Sequence, residues 1–88
     1  MARIPVECIT EMRLDYIRPW RVRYEDSEGA HVIKVDNIVG KNAKRVMASM
    51  NNPASIEFSF KCESIQEGIR KFFTLTYNNQ TCRWYMFV

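Results

Sequence analysis

This chain of 88 residues contains cysteine and histidine, the side chains that most often bind zinc, and cysteine can also react as a thiol. Three cysteines and one histidine match the ligand number of a Cys3His zinc site, and they are Cys8, Cys62, Cys82 and His31. A zinc knuckle holds two thiolates together through a C-x2-C spacing, whereas these cysteines are isolated along the chain. Each is expected on the same strand face as an apolar residue two positions away, which suits a small buried side chain. These neighbours are Val6, Phe60 and Trp84. We therefore predict no metal site, no cofactor, and three reduced thiols in the core.

Nucleophilic catalysis would need a serine or cysteine with a base within hydrogen-bonding reach. The only histidine, His31, lies beside a predicted hairpin loop. With three glycines, the chain has neither a phosphate-binding glycine loop nor a G-x-S-x-G elbow. Its acidic cluster, Glu25, Asp26 and Glu28, is explained as the solvated tip of that hairpin. We predict a protein that is not an enzyme and has no catalytic residue.

The basic residues suggest a different chemistry, the binding of phosphate. Arginine pairs with phosphate through two hydrogen bonds, and neighbouring aromatic rings can stack on the bases of a single strand. The net charge of +3 is small, and an exposed sheet face kept soluble by charge explains the same residues. We favour the solvated face, and single-stranded nucleic-acid binding stays an alternative for six residues: Arg18, Arg21, Arg23, Lys34, Lys44 and Arg45.

Aromatic side chains near residue 88 suggest association with another subunit. In the last predicted strand, Tyr85 and Phe87 alternate with Trp84 and Met86, so both faces of the strand are apolar. Phe72 is expected opposite Tyr85 on the neighbouring strand. Either a short helix or a second copy of the chain must cover this face. The candidate oligomer interface is therefore Phe72, Tyr85 and Phe87.

A central hairpin over residues 18–36 positions most of these side chains. Trp20, Val22 and Tyr24 alternate with arginines at the period of two that is typical of a strand. A four-residue loop at 26–29 would close the hairpin in a register that places the apolar residues of the two arms opposite each other. That register places Tyr24 opposite His31, Val22 opposite Ile33, Trp20 opposite Val35 and Arg21 opposite Lys34.

Further strands precede and follow the hairpin. Alternation of apolar and polar residues is loose near the start of the chain and strict between Ile56 and Glu63. Asn78-Asn79 is interpreted as a two-residue turn, which places Leu75 opposite Cys82. The predicted strands outside the central hairpin are 3–14, 56–63, 69–77 and 80–88.

One segment, residues 42–50, has helical spacing instead. Four apolar residues recur at i, i+3, i+4 and i+7, and basic residues lie on the opposite side. The sequence Asn51-Asn52-Pro53 would end a helix there. The predicted apolar stripe consists of Ala43, Val46, Met47 and Met50.

Together these elements predict an all-β, mainly antiparallel fold. We expect a six-stranded barrel or roll with at most one short helix, in a single domain spanning residues 1–88. Large aromatic residues at alternating positions supply the interior. The residues expected to be mostly buried are Trp20, Phe58, Phe60, Phe73 and Trp84.

Targeting signals and cysteine usage bear on the location of the protein. The first residues lack the apolar run of a secretory signal, and nothing reaches the roughly 18 apolar residues of a membrane-spanning helix. Three cysteines are too few and too scattered for a disulfide framework. We expect a cytoplasmic protein that is not inserted in a membrane.

The pattern of strands and turns resembles a small family of uncharacterised bacterial domains known mainly from Firmicutes. The resemblance rests on three motifs: P-W-R-V-R-Y-E-D-x-x-G-x-x-x-I-K-V-D, I-E-F-S-F-K-C and F-T-L-T-Y-x-x-x-x-C-R-W-Y-M, within residues 18–86. The chain departs from that pattern in the longer turn at 26–29 and in Asn51-Asn52-Pro53, where the family has a glycine-rich loop. The resemblance implies a bacterial β-domain of unknown function and assigns no site.

These observations predict a non-enzymatic binding or interaction module. Its partner is not specified by the sequence. A protein partner or self-association is favoured over nucleic acid.

Overall fold

Seven antiparallel strands in one sheet account for the part of the chain that the computed structural model describes, residues 3–87. The predicted all-β antiparallel class is confirmed, and the predicted number of six strands is wrong. The sheet order is β3-β2-β1-β7-β6-β5-β4. The strands are β1 (Arg3–Met12), β2 (Ile17–Asp26), β3 (Gly29–Lys34), β4 (Asn37–Val46), β5 (Ser55–Gln66), β6 (Ile69–Asn78) and β7 (Arg83–Phe87).

The sheet is rolled but not closed, so the predicted barrel is wrong for these residues. β1 belongs to both halves of the roll, because residues 3–6 pair with β7 and residues 7–12 pair with β2. β3 and β4 are the two edges, and only Val35 and Asp36 join them. The Val35 amide donates to the Trp20 carbonyl and the Asp36 amide to the Glu63 carbonyl, at 2.9 Å each. The link therefore bonds to β2 and β5, and no ladder joins the two edges.

The core lies between the two halves of the roll. It contains Val22 and Val35 from one half and residues of β5, β6 and β7 from the other. Phe60 and Trp84 are buried as predicted, whereas Phe58 and Phe73 are only partly buried against the core. The buried apolar residues are Val22, Val35, Phe60, Cys62, Leu75, Tyr77, Trp84 and Met86.

The β2–β3 hairpin has the predicted register. Tyr24 lies opposite His31, Val22 opposite Ile33 and Arg21 opposite Lys34. Its turn is held by Asp26, whose Oδ1 accepts the Glu28 amide at 2.8 Å, and Gly29 has a φ of 116° that favours glycine.

Trp20 is the exception in this hairpin, since the prediction that it is buried is wrong. The pairing of β1 with β2 passes from Ile9–Arg21 to Thr10–Pro19, so Trp20 is an extra residue at a β-bulge. The bulge turns Pro19 inward and leaves 44% of Trp20 exposed.

The predicted helix at 42–50 is wrong, because residues up to Val46 form the edge strand β4. One side of the β4 backbone pairs with β5, and tertiary pairing of this kind overrides local helical spacing. Met47 and Met50, half of the proposed apolar stripe, are 82% and 100% exposed. No element between residues 3 and 87 is a helix, so none is long and apolar enough to cross a membrane.

The C-terminal hairpin has a longer turn than predicted, and β7 starts at Arg83 instead of residue 80. Asn78 Oδ1 accepts the amides of Gln80 and Thr81, at 2.8 and 3.2 Å, and the Cys82 amide donates to the Asn78 carbonyl at 2.8 Å. Leu75 therefore pairs with Met86 and not with Cys82. Val88 lies outside the described residues.

Candidate functional site

A concave surface lies along the unpaired edge of β4, and a separate cleft of about 720 Å³ lies between β1 and the start of β7. A cleft of about 420 Å³ separates β4 from residues 13–17, the connection that leads into β2. A second cleft of about 290 Å³ adjoins it toward the start of β4. The two clefts share Tyr16, Ile17 and Lys41. We call the combined surface the β4 groove.

The larger cleft has an apolar floor. Phe58 and Phe60 line it from β5, and Ala43, which pairs with Phe58, leaves the Phe58 ring uncovered by a larger side chain. Leu14 lines it from the opposite wall and is fully exposed. Polar residues form the rim: Arg13, Asp15, Tyr16, Lys41 and Asn42. An apolar floor with a few polar groups is typical of a binding site.

Positive charge is concentrated along β4. Lys41, Lys44 and Arg45 form no ion pair with any residue between 3 and 87, although Lys44 is the cross-strand partner of Glu57. Lysines on an edge strand prevent uncontrolled pairing with other chains, and they also attract an acidic partner.

The connection opposite β4 is held by a polar network around Glu11. This carboxylate accepts hydrogen bonds from Arg13 Nε at 2.6 Å, Tyr16 Oη at 2.9 Å and Trp20 Nε1 at 3.3 Å. The bonds from Arg13 and Tyr16 hold the pKa of Glu11 below its usual value of 4.5. The wall of the groove that faces β4 is thus anchored to β1.

Arg18 lines the smaller cleft, and its guanidinium has an unusual environment. Its Nη2 donates to the Val35 carbonyl at 3.2 Å, and its guanidinium lies 4.2 Å from the centre of the Trp20 ring. Its Nη1 atom is buried and has no hydrogen-bond partner among the described residues.

The six predicted nucleic-acid-binding residues do not form one surface. Arg21, Arg23 and Lys34 share the outer face of the β2–β3 hairpin, where their cross-strand neighbours Ile9 and Val32 offer no ring for stacking. Two of the remaining three, at positions 44 and 45, lie on β4, and the third lines the smaller cleft.

Arg23 is in addition neutralised by carboxylates. Its guanidinium lies 2.8 Å from Glu25 and 3.6 Å from Glu7. Phosphate binding there would have to displace these ion pairs.

The three predicted interface residues, Phe72, Tyr85 and Phe87, do share one face, the outer side of β6 and β7. Phe72 is 55% exposed, while Tyr85 and Phe87 are half-buried. Tyr85 lies opposite Thr76 and not Phe72, and the Arg3 guanidinium stacks on its ring at 4.0 Å. We call these three side chains the outer aromatic patch.

The cysteines and the histidine do not converge on one site. Cys62 is buried, and burial raises the pKa of its thiol to about 12. Cys8 is half-buried, and Cys82 is exposed in the last turn, so its predicted place in the core is wrong. His31 Nε2 lies 2.9 Å from Asp26 Oδ1. Between residues 3 and 87, no three His, Cys, Asp or Glu side chains are grouped to hold a metal ion.

Sequence reasoning missed the β4 groove because it assigned β4 to a helix and residues 13–14 to a strand. Two signals point to it in retrospect. Lys41 and Lys44 are what an exposed edge strand carries, and Leu14 is an apolar residue just beyond the end of a strand. Comparison of the chain with protein-family models, with curated proteins and with solved structures gave no match.

Proposed function

We propose that this chain is a non-enzymatic binding module that accepts an extended acidic peptide as an additional strand along the free edge of β4. The observation that carries this proposal is the position of the β4 groove beside a ten-residue edge strand that is paired on one side only. The bound peptide would lie between β4 and the connection at 13–17.

The backbone of β4 supplies the affinity in this proposal. An edge strand presents a row of unpaired N–H and C=O groups, and an added strand satisfies them. Every ladder in the sheet is antiparallel, so we expect the peptide to run antiparallel to β4. Its alternate side chains would point to the floor of the groove at Phe58 and Phe60.

Charge supplies the selectivity. Lys41 and Arg45 lie on the same face of β4 as the groove, and Lys44 lies on the opposite face. None of them forms an ion pair with residues 3–87, so carboxylates on either face of an added strand meet a cation. Asp15 is the only acidic residue among those that line the larger cleft. A basic peptide of the same shape would be repelled.

The proposal predicts that a fluorescein-labelled, C-terminally amidated peptide Glu-Val-Glu-Val-Glu-Thr-Val binds the protein, whereas its Lys-Val-Lys-Val-Lys-Thr-Val counterpart does not. Fluorescence anisotropy at low salt measures both. The double variant Lys41→Glu/Lys44→Glu should weaken binding of the acidic peptide about tenfold, because two attractive charges become repulsive. Added salt should weaken binding to the wild-type protein.

The matched control is Lys71→Glu/Arg83→Glu, which changes the net charge equally at exposed cations on β6 and β7. It should bind the acidic peptide within about twofold of wild type at moderate salt, where distant charges are screened. Equal weakening by the two double variants, or equal affinity for the acidic and basic peptides, would show that β4 is not the site.

Self-association through the outer aromatic patch is a second candidate function. The observation that favours it is the absence, between residues 3 and 87, of the helix that would otherwise cover these rings. An antiparallel sheet exposes its outer face to water, yet the outer face of β6 and β7 carries aromatic side chains. Exposed apolar clusters of this kind are typical of interfaces.

For this candidate we expect a dimer whose dissociation constant rises at least about thirtyfold in Tyr85→Thr/Phe87→Thr, since aromatic residues dominate the energetics of interfaces. Analytical ultracentrifugation measures the mass, and circular dichroism checks that the variant is folded. Ile9→Thr/Val32→Thr, on the outer face of the other half, should leave the mass unchanged. A wild-type protein that stays monomeric up to high micromolar concentration would eliminate this candidate.

A further inference from the structure

Arg18 is held in one orientation by contacts on two sides. Its Nη2 atom donates to the Val35 carbonyl at 3.2 Å, and its guanidinium stacks on the Trp20 ring at 4.2 Å. Trp20 is itself fixed through a hydrogen bond from Nε1 to Glu11 at 3.3 Å. An arginine fixed in this way is preorganised, so little side-chain entropy is lost when it binds a ligand.

The Nη1 atom of Arg18 lacks an acceptor. It is buried, and no oxygen between residues 3 and 87 accepts its hydrogen bonds, which is a costly arrangement for a charged donor. Arg18 lines the smaller cleft, and for a ligand there to reach Nη1 the side chains that cover this atom must move aside. A carboxylate is the group whose geometry and charge match a guanidinium.

The direction of an added strand decides which part of a peptide reaches Arg18. β4 runs from Asn37, which lines the smaller cleft, toward Ala43 in the larger cleft and on to Val46. A peptide antiparallel to β4 enters at the Val46 end and finishes at the Asn37 end. Its C-terminus therefore arrives beside Arg18.

We propose that Arg18 binds the free C-terminal carboxylate of the peptide that pairs with β4, so that the groove recognises the ends of protein chains. This inference rests on the proposed function of the β4 groove. Nη1 of Arg18 donates to the carboxylate, and Lys41, which also lines the smaller cleft, adds a second positive charge. Asn37 lies at the same end, and its side-chain amide donates to Glu63 at 2.8 Å.

Asp36 is the acidic residue that lines the smaller cleft, and its charge is already engaged. Its Oδ2 accepts the Ile65 amide at 2.7 Å, and its Oδ1 lies 3.9 Å from Lys34 Nζ. Two cations thus face the cleft against one carboxylate that is bonded elsewhere. The balance favours an anion at this end of the groove.

The test compares the acidic probe peptide described above with a free C-terminal carboxylate and with a C-terminal amide. We expect the free acid to bind the wild-type protein roughly tenfold more tightly, because a charge-assisted hydrogen bond is lost in the amide. In Arg18→Gln this difference should fall to about twofold or less, the part that the charge of Lys41 supplies. Circular dichroism and thermal unfolding verify that the variant is folded.

A second measurement uses the wild-type protein alone. Because the Arg18 guanidinium stacks on the exposed Trp20, unlabelled free-acid peptide should change the tryptophan emission more than saturating amidated peptide does. Equal affinity and equal emission change for the two peptides would overturn the Arg18 proposal while leaving strand addition to β4 intact. A tenfold difference that persists undiminished in Arg18→Gln would also overturn it. Failure of both peptides to bind would refute the proposed function and this inference together.

Discussion

Phe60→Ala is expected to lower the free energy of unfolding by about 3–5 kcal/mol, the range for truncating a large aromatic residue in a packed core. Phe60 is 2% exposed, pairs with Leu75 and contacts Trp84 with ring centroids 5.8 Å apart. Its removal loses burial and leaves a cavity between the two halves of the roll. Equilibrium denaturation in urea measures the change.

Phe72→Ala is the matched control, since the same side chain lies on the outer face with 55% of its surface exposed. Its cost should stay below about 1 kcal/mol when measured in dilute protein, where self-association does not contribute. Phe58→Ala should fall between the two values, because Phe58 is only partly buried. Equal costs for Phe60→Ala and Phe72→Ala would mean that the inner and outer faces are assigned incorrectly.

Glu63→Gln is expected to lower the melting temperature by several degrees at pH 7 and to make the protein less sensitive to acid. The Glu63 side chain is 3% exposed and joins β4 to β6. It accepts Asn37 Nδ2 at 2.8 Å and the Arg70 guanidinium at 2.8 and 3.0 Å. The bonds from Asn37 and Arg70 hold the pKa of Glu63 below its usual value of 4.5.

The lowered pKa fixes the direction of the pH dependence. A carboxylate that is more acidic in the folded state stabilises the protein above pH 4.5, and this stabilisation is lost as the pH falls through the folded pKa. Thermal unfolding between pH 7 and pH 3 should therefore show a shallower decline in the Gln variant. Glu11→Gln is the comparison. The Glu11 carboxylate also has a lowered pKa but is more exposed, so its replacement should lower the melting temperature less at pH 7. Identical pH profiles for wild type and Glu63→Gln would contradict the role assigned to this network.

The central hairpin could be predicted from sequence because two independent signals agree there. Alternation in both arms and the predicted loop at 26–29 require the same register, and the observed pairs Val22–Ile33 and Tyr24–His31 follow it. The loop is shorter than predicted, because Asp26 pairs with Gly29 and leaves a two-residue turn. The sequence carries no comparable signal for the bulge at Trp20. A bulge depends on how β1 pairs with β2, which is information from another strand.

The register predicted for the C-terminal hairpin was wrong, but the residues predicted on each face of the hairpin were correct. Leu75 was expected opposite Cys82 and lies opposite Met86, a shift of four positions. Side chains alternate with a period of two, so an even shift keeps the inner residues inside. The outer aromatic patch was therefore predicted on the correct face, although its cross-strand partners were not. The shift matches the longer turn, in which the Asn78 side chain accepts hydrogen bonds from two amides.

The candidate site was not predicted from the sequence, because its two signals were weaker than the helical spacing that covers the same residues. The site exists because β4 is a strand with one free edge, and the helical spacing of Ala43, Val46 and Met47 predicted the opposite. Helical spacing indicates a helix only when the apolar stripe has a surface to pack against. Here β5 offers backbone pairing to β4, and Met47 remains exposed.

The pairing of β1 with β7 has a consequence for how the chain folds. Five of the six ladders join strands that are consecutive in sequence, so residues 3–34 and 37–87 can each form a meander through local contacts. Only the ladder of β1 with β7, which places Arg3 opposite Phe87, requires distant segments to meet. Closing so long a loop costs entropy before the contacts form. We therefore expect docking of the two meanders to be the slow step of folding, because the roll is complete only when β1 pairs with both β2 and β7.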